Sequence, residues 1–385
     1  MNNLLPFSGS LFFGFIAVST LILWICKLYF SSLVSYKWVV TFISSCYLIF
    51  LYPKPIHILA LIIFLYALYR LLLRFYKSEN LVFPMVLLSI PLFFMKSLGV
   101  LDGDFSTMKG IFQIAGISYI TFKTISLFID ERVNKQVSFF NYYTYISFVP
   151  TILIGPIDRY NRFAGDIEKG YQSLSEAKLL NGFDLLIKGL LYKFIIAEFI
   201  HSFILEELMM DNSFGYHLVY MYGYLFFLFF DFAGYSLLAV GFGNLLGIDV
   251  PMNFDKPFLA KNPKEFWKKW HITLGDWLGD YFFKPLFKYF TKKKTFGRIE
   301  RQNVALFLTF LLMGFWNGFE LHFILSGALF GLYSVIHNYY EYQCKKNKKD
   351  VVFGNLNKSL VNFISVFIMI NGVAIAIYIF SGKII

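Results

Sequence analysis

FFDFAGYSLLAVGFGNLLGI, residues 229–248, carries one charge in its whole length. An apolar run this long meets the ~20 residues a helix needs to cross the hydrocarbon core. It belongs to a longer run, 215–247, that reads as a membrane span. Yet Asp231, Tyr235, Ser236 and Asn244 line it. An aspartate at membrane depth costs roughly 2.5–3.5 kcal/mol on insertion scales. The stretch therefore predicts a helix in the bilayer and, beside it, a cation, a hydrogen-bond network or water that offsets that cost. Its glycines, at 234, 241, 243 and 247, predict close backbone approach to a neighbouring helix.

The same composition extends through the chain. Of 385 residues, 57% are hydrophobic, 21% aromatic and 15% charged, against about 25% charged in soluble domains. The apolar runs at 10–30, 36–52, 57–76, 81–100, 110–129, 180–205, 215–247, 302–318, 322–340 and 358–381 predict about ten full transmembrane helices. The expected fold class is all-α and polytopic. The N-terminus, MNNLLPFSGS, lacks a basic leader region, so no cleavable signal peptide is expected.

The net charge of +11 fits the positive-inside rule rather than nucleic-acid binding. Basic residues cluster around 70–77, at 284–301 and at 345–349, and the loops at 70–79, 130–136, 250–300 and 341–350 are expected to face the cytoplasm. Acidic LDGDF (101–105) and LEELMMDN (205–212) are expected outside. These assignments agree only if two segments, 137–160 and 253–290, enter and leave on one side, as re-entrant or interfacial elements. Irregular backbone at membrane depth survives only where protein or a wet cavity shelters it. A cytoplasm-open cavity in the second half of the chain follows, with both termini outside. The expected organisation is an N-terminal helical region (1–105), a core (106–340), and a basic loop with a final helix (341–385). No internal repeat marks an inverted-repeat transporter. Cys26, Cys46 and Cys344 have neither pairing nor metal-ligand spacing, and no metal site is expected.

Five stretches hold polar residues in apolar surroundings. GISYITFKTISLFIDE (116–131) offers Ser118, Tyr119, Thr121 and Lys123; helix packing, with Lys123 snorkelling, is the plain reading. In PTILIGPIDRYNRF (150–163), Gly155-Pro156 breaks the run, and Asp158 can bond freed N–H groups or an arginine. The 229–248 stretch is the third. The fourth, 253–290, opens on Asp255-Lys256-Pro257 and sets Trp267, Trp270 and Trp277 among lysines. Tryptophan with lysine is the usual mark of a membrane–water boundary. His271 stands where that segment turns apolar. The fifth, LLMGFWNGFELHF (311–323), carries Trp316, Asn317, Glu320 and His322.

Taken in order, GISYITFK, PTILIGPIDRYNRF, LLYKFIIAEF, FFDFAGYS, GNLLGIDVPMNFDKPFLAKNPKEFWKKWHITL and LMGFWNG resemble the membrane-bound O-acyltransferase superfamily. They are most like its bacterial branch that transfers D-alanine to teichoic acids; the alginate O-acetyltransferase branch shares the later motifs. The resemblance covers 110–335; the first hundred residues match only in hydropathy. It implies helices and re-entrant elements around a central tunnel in a bacterial cell membrane. It implies an acyl thioester on the phosphopantetheine arm of a cytoplasmic carrier protein, with no cofactor bound by the chain itself. The acceptor would be a hydroxyl of an extracellular polymer, and a small membrane peptide is a further implied partner. His271 and Asn317 would be the catalytic positions. Asp231, Tyr235, Ser236, Trp270 and Trp316 would support the tunnel, Asp255 and Lys256 would join them by fixing the re-entrant entry, and Lys284, Lys288 and Lys292 would dock an acidic carrier.

The chain departs from the family pattern at three positions. The family has a histidine after GFW; here it is Asn317, an amide that cannot take up a proton near neutral pH. An arginine expected before His271 is Lys269, and another before the Asp280-Tyr281 pair is Gly279. His322 lies five positions beyond Asn317, about 140° around a helix, and does not substitute. Three readings follow: a catalytically impaired relative or variant; an active transferase with His271 as base and Asn317 as donor; or a scaffold serving as channel, carrier dock or assembly partner.

Overall fold

The computed structural model describes residues 9–52, 54–78, 81–100, 116–131, 137–153, 155–206, 213–294, 296–348 and 357–383. LDGDF, most of LEELMMDN, and residues 132–136 of the 130–136 loop lie outside these. The helices are α1 (Ser10–Tyr29), α2 (Tyr36–Leu51), α3 (Pro55–Phe75), α4 (Val82–Val100), α5 (Ile117–Glu131), α6 (Phe139–Ser147), α7 (Tyr160–Lys169) and α8 (Glu176–Leu190). They continue with α9 (Phe214–Leu245), α10 (Pro263–Trp267), α11 (Ile272–Leu278), α12 (Lys284–Lys293), α13 (Arg298–Asn317), α14 (Leu321–Lys346) and α15 (Lys358–Phe380). α8 runs on through π-helical turns at Leu191–Ala197 and His201–Glu206. Among the described residues, five helices are long and apolar enough to cross a membrane: α1, α3, α9, α14 and α15.

The side chains show why these helices belong in lipid. α3 buries Ile58, Ile62, Leu65, Tyr69 and Leu72, one stripe at three- and four-residue spacing. Its other faces expose Ile56, Ile63, Phe64 and Leu71. α1 likewise buries Phe12, Ile16 and Leu23 while exposing Leu11, Val18 and Leu21. Apolar surface of this extent is a liability in water and is the normal condition in a bilayer.

The chain forms two compact units. The first comprises Met1–Tyr192 and Phe232–Met252. α5 is buried on nearly every face at its centre, packed on α3, α4 and α6. α8 crosses the second half of α9 at two glycine contacts. A Cβ at Gly182 would sit 3.0 Å from the Gly241 carbonyl oxygen, and one at Gly189 would sit 3.0 Å from that of Gly234. These are the close approaches expected of the α9 glycines.

The 137–160 segment is broken as its sequence suggests: α6, a 3₁₀ turn at Val149–Thr151, Gly155 at φ 117°, then irregular chain over 156–159 before α7. Asp158, fully buried, does both things expected of it. Its Oδ1 accepts from the Arg159 N–H at 2.6 Å and from Arg162 Nε at 2.9 Å. Lys123 does not snorkel. It is 0% exposed, and its Nζ donates to the Tyr145 carbonyl (3.1 Å) and to Thr151 Oγ1 (2.7 Å). A reach to solvent is unnecessary where a carbonyl, a hydroxyl and the charge of Asp158 satisfy the ammonium inside the unit.

The second unit comprises Lys193–Asp231 and Asn253–Ile385. Its frame is the antiparallel α13–α14 hairpin, closed by small residues. A Cβ on Gly327 would lie 2.9 Å from the Gly314 Cα, and one on Gly314 would lie 2.7 Å from the Phe323 carbonyl oxygen. α15 packs on α14.

Candidate active site

His271 is positioned by main chain. The Asp255 N–H donates to the Lys269 carbonyl at 3.0 Å, and the Ile272 N–H donates to the Asn253 carbonyl at 2.9 Å. Between these two bonds Phe254 and Trp270 form an antiparallel bridge. Asn253, fully buried, locks the turn from below: its Oδ1 accepts from Thr273 Oγ1 at 2.6 Å and from the Thr273 N–H at 3.3 Å. Pinned this way, His271 sits in the left-handed region (φ 45°, ψ 51°) as N-cap of α11. Non-glycine residues there carry local strain, which concentrates at functional sites. The His271 carbonyl accepts from the Leu274 and Gly275 N–H groups, at 3.1 and 3.0 Å.

Aromatic rings wall this turn. Phe254 meets Trp270 edge-on at 5.3 Å between centroids, Phe266 stacks on it at 5.4 Å, and Phe229 of α9 lies at 5.9 Å. Trp270 is 5% exposed and Trp277 2%. Both are packed within the unit, while Lys264 and Lys268 are exposed. Phe266 supplies the hydrogen-bonded turn that brings Trp270 inward, through its carbonyl to the Trp270 N–H at 2.8 Å.

The histidine ring faces Trp316, with centroids 6.3 Å apart. The structure thus brings His271 to the end of α13, where Asn317 is the last helical residue. Asn317 is half-buried, and its Nδ2 donates to the Met313 carbonyl one turn back at 2.9 Å. The Gly314–Gly327 crossing sits in that same last turn and fixes where Trp316 and Asn317 project. His322 is engaged elsewhere: its Nδ1 bonds the Phe380 carbonyl at 2.8 Å. Glu320 is exposed at the N-cap of α14.

The other expected positions fall as follows. Asp231, in the second unit, receives a hydrogen-bonded ion pair from Lys193 Nζ, with both side chains partly buried. Lys193 is the cation that the α9 aspartate called for. It was legible as the lone cation in LLYKFIIAEF, but sequence spacing gave no partner for it. Asn253 and Thr273 were likewise missed, since a buried Asn–Thr lock has no sequence signature. Tyr235 is half-buried and Ser236 2% exposed, both in the first unit's portion of α9. Asp255 and Lys256 are exposed, Lys256 at φ 46° leading into the 3₁₀ turn Pro257–Leu259. Lys284, Lys288 and Lys292 recur every fourth residue on α12, an exposed basic stripe, with Lys284 paired to Asp280 at 2.6 Å. Lys269 lends its carbonyl to the turn. Gly279 has nothing within 4 Å of a built Cβ, so a larger residue fits there.

The model of the membrane-bound O-acyltransferase family matches residues 82–380. The chain belongs to that family. Among its relatives, a teichoic acid D-alanyltransferase of Bacillus subtilis is 38% identical over 280 residues, 71% of this chain and 70% of the relative. One from Streptococcus thermophilus is 34% identical over 316 residues, 77% of this chain and 74% of the relative. A probable alginate O-acetylase of Pseudomonas putida is 31% identical over 229 residues but covers only 57% of this chain. The likeness to the D-alanyltransferases spans more of this O-acyltransferase than the likeness to the acetylase does.

Proposed function

We propose that this membrane O-acyltransferase moves D-alanine from a carrier-protein thioester to a hydroxyl of teichoic acid, at a site built on His271 and Asn317. The observation that carries the reading is the ring of the strained His271 turn set against Trp316, the chain neighbour of Asn317, in a chain 38% identical to a teichoic acid D-alanyltransferase. The acceptor oxygen attacks the thioester carbonyl carbon, and the hydroxyl proton passes to the His271 imidazole. The carbon–sulfur bond breaks, and the imidazolium returns the proton to the departing thiolate of the phosphopantetheine arm. Asn317 donates its amide to the oxyanion between these steps. Burial of His271 and its aromatic walls exclude bulk water, which would otherwise hydrolyse the thioester.

The wider arrangement belongs to the same proposal: about ten crossing helices around a passage in a bacterial cell membrane, with 137–160 and 253–290 re-entrant. Five long apolar helices and the broken course of both segments support it. The α12 lysine stripe suits an acidic carrier protein on the cytoplasmic side. Asp231, held by Lys193, and Tyr235 and Ser236 further along α9 support the passage; Asp255 and Lys256 shape its mouth. A small membrane peptide completes the assembly.

A second reading, a catalytically impaired relative, follows if the family histidine implied by the resemblance belongs at position 317; the bond of the Asn317 amide to the Met313 carbonyl favours it. Asn317→His decides between them. Purified chain is incubated with D-alanyl carrier protein and acceptor polymer, and transferred D-alanine is measured. A fall on reversion supports Asn317 as a donor beside His271. A rise on the order of 10²–10⁴ identifies the missing base. A wild-type chain that neither binds the carrier nor transfers in either form overturns the proposal.

A further inference from the structure

A pocket of about 270 Å3 opens in the second unit between α10, α13 and α14. Its wall includes Lys264, Arg298, Gln302, Asn338, Glu341 and Lys345. Three cations face a single carboxylate there. Glu341 is shared by Lys264 and Lys345, each at 3.8 Å, so neither lysine is neutralised by a partner of its own. Arg298 adds a planar fork of donors that matches two oxygens of one phosphate, and Gln302 and Asn338 add amides.

The depth of the pocket says where its anion comes from. α14 has 26 residues, roughly 39 Å at the helical rise, whereas the hydrocarbon core is about 30 Å thick. Its basic end, Glu341 to Lys346, therefore emerges among the headgroups. Exposed Tyr339, Tyr340 and Tyr342 ring that end, as aromatic side chains do at a membrane interface. Basic pockets between transmembrane helices at this level suit phosphate headgroups.

We propose that this pocket binds the phosphodiester headgroup of an anionic membrane lipid. Arg298 and Lys345 hold the phosphate oxygens, Lys264 supports them, and Glu341 tempers the site by holding the two lysines. The proposal is independent of the transfer chemistry and stands whether or not Asn317 is competent.

The test is native mass spectrometry of the purified full-length chain with phosphatidylglycerol and with phosphatidylcholine of the same acyl chains. Two basic side chains at the membrane surface are together worth about thirtyfold. The wild type is therefore expected to retain phosphatidylglycerol roughly thirtyfold better, and the Arg298→Gln, Lys345→Gln double variant less than about threefold better. Glu341→Gln is expected to strengthen retention several-fold, which keeps the test decisive if the double variant does not fold. Equal retention of both lipids by the wild type, an undiminished preference in a folded double variant, or weakened retention in Glu341→Gln would overturn the site. Glycerol 1-phosphate displacing the lipid at equal concentration would assign the pocket to a soluble phosphate and overturn the lipid source.

Discussion

The Lys123 cluster of the first unit and the His271 turn of the second hold polar groups by opposite means. In the first, buried side chains reach one another and nearby main-chain groups. The Lys123 ammonium bonds a carbonyl and a hydroxyl, and Asp158 Oδ1 bonds an N–H and a guanidinium. Tyr145 closes the group by donating its hydroxyl to the Asp158 carbonyl at 2.6 Å. In the second, the backbone is the clamp: bridge bonds on both sides of Trp270 force His271 into a left-handed conformation and present its ring to Trp316. A buried network of mutually bonded charges specifies a fold. A strained turn that presents an imidazole is suited to chemistry. Buried polar residues in this apolar chain are thus held in two ways, and backbone geometry separates them.

Substitution sharpens this division most at the histidine. His271→Ala is expected to lower D-alanine transfer on the order of 10²–10⁴ while the melting temperature in detergent stays near wild type. Lys123→Met is expected to do the reverse. It strips the Tyr145 carbonyl and the Thr151 hydroxyl of their donor inside the unit and should cost about 1–3 kcal/mol, so the melting temperature drops before any transfer is lost per folded molecule. A folded Lys123→Met chain that has lost transfer would break the comparison and move Lys123 into the site.

Much of this was legible in the sequence, for identifiable reasons. Apolar runs announce helices in lipid because length and hydropathy suffice. Gly155-Pro156 announced a break, and the α9 glycines announced a close crossing, because both act through local backbone or bulk. The motif order announced the family. Partners of charges were not legible. Asp231 called for a cation, but that Lys193 supplies it depends on how α8 lies along α9. Lys123 reads as snorkelling because that is cheap on an isolated helix; only the course of 139–158 buries it. Trp270 and Trp277 read as interfacial because lysines flank them, whereas the Phe254–Trp270 bridge and the Phe266 stack draw Trp270 inward. His271 was legible as a position, but its left-handed conformation depends on Asn253, eighteen residues away in sequence.

Smaller effects are expected where the two plans are tuned rather than removed. Gly314→Val presses a side chain against the Phe323 carbonyl and should cost about 1–3 kcal/mol by overpacking. Because that crossing places Trp316 and Asn317, transfer should fall further than stability alone explains. Transfer that tracks the folded fraction would show that the α13 end is not positioned by the hairpin. Asp231→Asn should leave Lys193 unmatched and cost about 1–3 kcal/mol, part of it recovered by Lys193→Met in the same chain. A double-variant cycle on melting temperature reads that coupling, and strict additivity would show the pair to be inert.

Asp166 provides the mildest and most direct probe of the side-chain plan, outside the spanning helices. Its Oδ1 accepts from Lys169 Nζ and its Oδ2 from the Asp249 N–H, both at 2.8 Å. Burial pushes its carboxyl up, but those two hydrogen bonds, with the charges of Lys178 and Lys169, outweigh burial and leave it below the usual carboxylate value. A carboxyl depressed by folding stabilises the fold above the unfolded value of about 3.9, and that contribution disappears as pH falls through the lower, folded value. Melting temperature followed from pH 6 downward should therefore decline more steeply in the wild type than in Asp166→Asn. At pH 6 the variant itself should be less stable by about 1 kcal/mol, since an exposed lysine supplies one of the two bonds. Parallel pH profiles for the two chains would mean that Asp249 and the turn after α9 hold without the carboxylate. The first unit would then depend less on mutually bonded charges than the Lys123 cluster implies.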